Sequence, residues 1–260
     1  MVTNVTIKDN KCSPLPYLSE IPAFANGASF DFFPGVNVIV GENGCGKSTL
    51  LKLIQTYLMV DRMECDKGDY GINITKLYRK FDAVEKDVIS DGVDVFADYT
   101  KNVFKLCHQN ENENKELKDF ESFGTLYTQK HSSTGESVII AMNSLFKYMF
   151  SKNAKLTFDY SQFEESYKSY YDYVNAHRVE CPNEYTIIMD EPDRNLSINN
   201  IDQIKDILSF HKEQTQVIAV IHNPLIIYSL AFNDEVNFIE LSSGYMDKVI
   251  EVVEKIVIEK

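Results

Sequence analysis

Few stretches of eight residues leave a chain so little choice of fold as Gly41-Glu42-Asn43-Gly44-Cys45-Gly46-Lys47-Ser48. The stretch follows the apolar run Val36 to Val40. It precedes Ser48 to Met59, where Leu50, Leu51, Leu53, Ile54, Tyr57 and Leu58 recur at helical spacing. Strand, glycine-rich loop and helix in that order are the context a phosphate-binding P-loop requires. Glycines let successive backbone N–H groups turn inward around phosphate oxygens, and the following helix aims its positive N-terminus at them. Bulky side chains would block that approach. The pattern makes Gly41, Asn43, Gly44, Cys45, Gly46, Lys47, Ser48 and Thr49 candidate nucleotide-binding residues. Lys47 brings a point charge to the β- and γ-phosphates, and the Ser48 hydroxyl is placed to ligate Mg²⁺, so ATP with Mg²⁺ is the expected ligand. Cys45 fills a variable position of the loop. It reads either as a tolerated small residue or as a thiol activated by the helix N-terminus.

Two further strand ends supply chemistry. Tyr185-Thr186-Ile187-Ile188-Met189 is an apolar run closing on Asp190-Glu191-Pro192, the arrangement of a Walker B motif. Asp190 is a candidate Mg²⁺ ligand, and Glu191 a candidate catalytic carboxylate that polarises the attacking water. Alone, an Asp-Glu pair after an apolar run reads as a strand-end turn; downstream of a P-loop it reads as catalytic. Val217 to Ile221 then ends in His222-Asn223-Pro224. One helix beyond the Walker B strand, His222 is placed to register the γ-phosphate and joins Glu191 and Lys47 as a candidate catalytic residue.

Alternating strands and helices imply an α/β core with a largely parallel sheet. Ser29 to Phe33, the turn Pro34-Gly35 and Val36 to Val40 together predict a hairpin. Val93 to Phe96 predicts a strand, Asn200 to Phe210 a helix and Val236 to Leu241 a strand, while Met246 to Ile256 fits either a helix or a final hairpin strand. One domain, 1–260, is expected. Its core would span about 1–60 and 184–245, with a peripheral lobe over about 61–130. A helix from Ser137 to Met149 and a tyrosine-rich insertion would fill about 131–183.

Composition narrows the partners. With 260 residues and 44% hydrophobic content the chain can bury one large core. No apolar run reaches the roughly 18 residues of a membrane span, and the start is polar rather than signal-like, so a cytoplasmic protein without membrane insertion is expected. The five cysteines are scattered and never in a C-x-x-C pair, which predicts reduced thiols. A net charge of -13 opposes broad binding to a phosphate backbone. A local basic patch would still fit inside an acidic total, so direct nucleic-acid contact stays open.

Between the P-loop and Walker B stands Ser132-Ser133-Thr134-Gly135-Glu136, before an apolar helix. It reads as a helix N-cap, and it also resembles a degenerate form of the Leu-Ser-Gly-Gly-Gln signature of ABC-type ATPases. Most of the chain resembles, within that class, small bacterial predicted ATPases related to the ATP heads of chromosome-maintenance and repair proteins. That likeness rests on Leu15-Pro16-Tyr17 through Ile21-Pro22-Ala23, on Val38 to Gly44, on Ser133 to Ser137 and on Val220 to Leu225. It implies a P-loop NTPase of ABC-ATPase core, with a mostly parallel sheet, an antiparallel β lobe and a helical signature lobe. It further implies a homodimer that sandwiches ATP, in which Ser133, Gly135 and Glu136 serve the nucleotide of the other chain. A protein partner, such as a nuclease or other effector in DNA maintenance or phage defence, is implied as well.

Departures from the family pattern are local. Asp193 to Ser197 resembles the D-loop, with Ser197 where aspartate is usual. Neither Gln109 nor Gln129 makes a convincing Q-loop, and Asp98 is a candidate substitute. The stretch Phe158 to Tyr173 reads either as a partner-docking helix or as packing of a helical lobe. Two rival functions share the phosphate motifs: the nucleotide-binding subunit of a membrane ABC transporter, and a non-hydrolysing ATP-dependent dimerisation switch, which could dispense with Glu191.

Overall fold

The computed structural model describes residues 1–8, 16–60, 92–97, 102–107, 185–194, 201–209 and 215–258. In chain order the elements are β1 (Val2–Ile7), β2 (Ala28–Asp31), β3 (Gly35–Val40), α1 (Lys47–Val60), β4 (Val93–Ala97) and β5 (Asn102–Cys107). They continue with β6 (Tyr185–Asp190), α2 (Ile201–Ser209), β7 (Thr215–Val220), α3 (Pro224–Leu230), β8 (Val236–Glu240) and α4 (Tyr245–Ile258).

All six residues of β3 are buried, as are all six of β7. A strand covered on both faces must be apolar throughout, which is the signature of a central strand in a parallel sheet. The five-stranded sheet runs β5-β6-β7-β3-β8, with every neighbouring pair parallel. A second, antiparallel sheet has the order β2-β1-β4. Each sheet draws one strand from the 61–130 stretch.

The hairpin expected across Pro34-Gly35 does not form. β2 pairs antiparallel with β1, whereas β3 lies in the other sheet between β7 and β8. The turn therefore carries the chain from one sheet to the other rather than back along its own strand. Burial explains the choice: β2 alternates between half-buried and exposed positions, as a one-sided edge strand does, while β3 has no exposed position to offer a solvent face.

Alternation along the central strands divides the core into two apolar layers. Ile39, Ile188, Ile218 and Val220 face the layer that contains Val2, Val5, Ile7, Val93 and Val95 of the antiparallel sheet and Leu50, Leu51, Leu53 and Ile54 of α1. Val36, Val38, Val40, Ile187, Met189, Val217 and Ala219 face the layer closed by Ile204 and Leu208 of α2, Ile226, Ile227 and Leu230 of α3, and Val249 and Val253 of α4. Each fully buried Leu or Ile contributes roughly 1.5–3 kcal/mol. The segment from 246 onward, left open between helix and strand, is α4, and the pair Val249 and Val253 at i, i+4 is its inward stripe.

Two buried amides lock the layers in register. Gln216 of β7 accepts from the Val2 N–H at 2.8 Å and donates to Val2 O at 2.7 Å and Phe33 O at 3.0 Å, tying the antiparallel sheet to the parallel one. Asn37 of β3 pairs with both backbone groups of Phe33 at 2.8 Å and accepts from Asn237 of β8 at 3.0 Å. Buried amides of this kind cost free energy unless paired, so they specify one register.

Among the described residues, no helix is long and apolar enough to cross a membrane. Asp98, Gln109, Gln129, the signature at 132–136, the helix at 137–149, the tyrosine-rich stretch at 158–173 and Ser197 lie outside the described residues.

Candidate functional site

The parallel sheet brings three loops to one edge. β3 runs into the loop at Gly41, β6 into Glu191 and β7 into His222, and the register sets Asp190 beside Val220 and Val220 beside Ile39. Carboxyl ends of neighbouring parallel strands are where α/β sheets hold ligands. The residues expected to bind phosphate and those expected to attack it are thus assembled on one rim.

The loop is built around Lys47. Its ammonium donates to Gly41 O at 2.7 Å and to Glu42 O at 2.8 Å, and the residue is only 4% exposed. The two bonds curl the backbone around the cation. Gly46 has φ +108, and a Cβ there would lie 2.7 Å from Ile21 Cγ2 and 2.9 Å from the buried Phe24 ring. Only glycine fits, because both the dihedral and the space exclude a side chain. α1 begins at Lys47, and Leu50 N–H donates to Gly46 O at 2.8 Å, so the first free N–H groups of the helix open onto the loop. Such a loop has the backbone donors and the space that a phosphate chain requires. Ser48 on the first turn of α1 and Asp190 at the end of β6 offer a hydroxyl and a carboxylate, the hard oxygen donors that suit Mg²⁺.

A fourth strand end closes the loop from the side. Ser242, just past β8, accepts from Glu42 N–H at 3.1 Å, and Lys248 of α4 pairs with the Glu42 carboxylate at 2.8 Å. That bond holds the Glu42 carboxyl below the usual carboxylate range and lifts Lys248 above the usual lysine value. Burial pushes the Tyr245 phenol up, with Cys45, Glu42 and Asp193 adding to the effect. None of Ser242, Tyr245 or Lys248 carries a sequence signal, because their approach to Glu42 spans some two hundred residues. Cys45 is a free, buried cysteine.

Glu191 is the one non-glycine residue among those described with positive φ, at 53°. Such a backbone costs an L-residue of order 1–3 kcal/mol and persists only where its surroundings fix it. Here its N–H donates to Val220 O at 3.2 Å, and its carbonyl accepts from Arg194 N–H at 3.0 Å to close a tight turn. The carboxylate lies between two nitrogen groups: His222 Nε2 is 3.3 Å from Oε1, and Arg194 Nη1 is 3.3 Å from Oε2. The His222 contact is close but lacks the alignment of a hydrogen bond. Asn223 caps α3 through Leu225 N–H at 2.9 Å.

Of the residues singled out in the sequence, those of the loop at 41–49 and Asp190, Glu191 and His222 all fall on this rim. Ser133, Gly135 and Glu136 lie outside the described residues. Arg194 and the buried carboxylate of Asp193 contribute contacts that strand and helix patterns do not announce.

A family model described as an AAA domain, AAA_23, matches residues 17–228. A search of the curated proteins finds no match. Among solved structures, 59 chains match. One is an ATP-binding cassette of an ABC transporter in its ADP conformation, 13% identical, with both chains covered in full and a TM-score of 0.40. The family match takes in β2, β3, the glycine-rich loop, β6, β7 and the strand ends that carry Glu191 and His222, and the chain belongs to the AAA_23 family of AAA domains, a P-loop ATPase domain.

Proposed function

We propose that this chain binds ATP with Mg²⁺ in the loop Gly41 to Ser48 and hydrolyses it with Glu191 as the catalytic base. The observation that carries the reading is the shared rim: Lys47 in a closed loop on β3, with Glu191 and His222 in contact on the ends of β6 and β7. Backbone N–H groups of the loop and the N-terminus of α1 bind the phosphates, and Lys47 moves its ammonium from loop carbonyls toward the β- and γ-oxygens. Ser48 and Asp190 would hold Mg²⁺, which when bound neutralises charge on the phosphates. Glu191 orients the attacking water and accepts its proton, and His222 holds that carboxylate and faces the γ-phosphate.

The dimeric form of the reading follows the resemblance to ABC-type ATPases, with Ser133, Gly135 and Glu136 of one chain completing the site of a second. In the same reading the protein is cytoplasmic and drives or gates an effector in DNA maintenance or phage defence.

Wild type should hydrolyse ATP only with Mg²⁺. Lys47→Ala should weaken ATP binding about a hundredfold or more, the scale of losing a charge-assisted contact to phosphate. Titration calorimetry reads the binding, and light scattering with Mg-ATP reads the dimer. Unaltered ATP affinity in Lys47→Ala would remove the loop from the site.

A further inference from the structure

We propose that Asp193 is a positioning residue that anchors the main chain of His222, so that the imidazole is held against Glu191. This rests on the reading of Glu191 and His222 as the hydrolytic centre. Asp193 lies in the turn after β6 and is 7% exposed. Its Oδ2 accepts the N–H of His222 at 2.8 Å and the N–H of Asn223 at 2.5 Å.

Both N–H groups lie where β7 has ended and α3 has not begun, beyond the reach of the sheet ladder. The last ladder-like contact is Ile221 N–H to Ile39 O at 3.4 Å, and the Asn223 side chain is already committed to Leu225 N–H. A buried N–H without an acceptor is costly, and a carboxylate accepting two of them makes strong, charge-assisted bonds. The acceptor comes from the four-residue turn that also fixes Glu191 in its left-handed backbone. One turn therefore sets both partners of the 3.3 Å contact, Glu191 through its own dihedrals and His222 through Asp193.

Among the described residues no helix begins at this carboxylate, and its second oxygen, Oδ1, is buried with no hydrogen-bond partner there. All of its hydrogen bonding shown here goes to the two N–H groups. A residue there solely to satisfy its own turn would bond within 191–194 rather than 29 residues away.

The test compares wild type, Asp193→Ala and Asp193→Asn by steady-state ATPase kinetics and by amide hydrogen exchange on nucleotide-free protein. Asp193→Ala should lower kcat about 10- to 100-fold, as small misplacements of catalytic groups do, with KM for ATP changed less than about 3-fold. Amides 222 and 223 should lose protection while those of β7 keep it. Asp193→Asn keeps an acceptor oxygen and should restore most of the lost kcat together with the two protected amides. The proposal is overturned by unprotected amides 222 and 223 in the wild type. It is equally overturned if KM rises as far as kcat falls, or if Asp193→Asn loses the two amides and keeps full turnover. Should Asp193→Ala fail to fold, the wild-type exchange pattern and the Asn variant decide alone. A wild type without turnover is the failure of the hydrolytic reading and shows before any variant is compared.

Discussion

The loop at 41–48 and the cluster of Glu191, Asp193 and His222 sit on neighbouring strand ends and are made in opposite ways. The loop is consecutive in sequence, and its shape comes from its own backbone: a glycine at φ +108 and an ammonium bonded to two carbonyls five and six residues earlier. The cluster has no such autonomy. Glu191 holds a left-handed backbone that its residue type disfavours, and His222 is placed by a carboxylate 29 residues before it. A site written locally breaks when its own residues change. One written across the sheet breaks when the geometry between its parts changes, even with every reacting group intact.

Changing single residues separates the two kinds of construction. The largest effect on stability should come from Gly46→Ala, where the new Cβ meets Ile21 and the fully buried Phe24 in a backbone that alanine resists. A loss of about 2–4 kcal/mol is expected. Gly44 has φ +78 and open space around it, so Gly44→Ala should cost only the dihedral, about 1 kcal/mol. Urea denaturation reads both, and equal losses would mean that the approach of Ile21 and Phe24 adds nothing to the cost of a side chain at Gly46. His222→Ala should leave ATP affinity unchanged and lower kcat about 10- to 100-fold, a difference of about 1.4–2.7 kcal/mol in the barrier. An equal rise in KM would make His222 a binding residue instead.

The smallest effect belongs to the pair of Glu42 and Lys248, both of them exposed. Exposed pairs contribute little and are screened by salt. Glu42 is lowered and Lys248 raised, so whatever the pair contributes is present through the neutral range. It disappears as pH falls through the lowered carboxyl value or rises through the raised ammonium value. Lys248→Ala should therefore melt close to wild type, with a difference that stays flat between about pH 6 and 9. A large or sloping difference would show that α4 braces the loop.

What the sequence disclosed follows the same division. The P-loop was legible because its dihedral and anion-binding needs are met within eight residues, and α1 because its apolar stripe is continuous. The hairpin at Pro34-Gly35 was misread because the true partner of β2 is β1, whose Thr3, Asn4 and Thr6 disguise the buried Val2, Val5 and Ile7. Which sheet a strand joins is decided by tertiary burial, and local alternation does not encode it. Asn37 and Gln216 look like flaws in apolar strands until their cross-strand partners are seen. Lys248 is an ordinary charged residue in sequence, and Asp193 stands out there only as the start of a D-loop-like stretch; both acquire their contacts from residues far along the chain.

The most direct test of the account is ATP binding and ATP turnover measured side by side in wild type and Glu191→Gln. The loop is untouched by that substitution and glutamine nearly preserves the shape of the side chain, so Mg-ATP affinity should stay within about 3-fold of wild type. Turnover should fall by about a thousandfold, the scale of losing a general base together with the water it orients. Equal turnover in the two proteins would take Glu191 out of the chemistry, and negligible turnover in both would make the chain a nucleotide-binding switch.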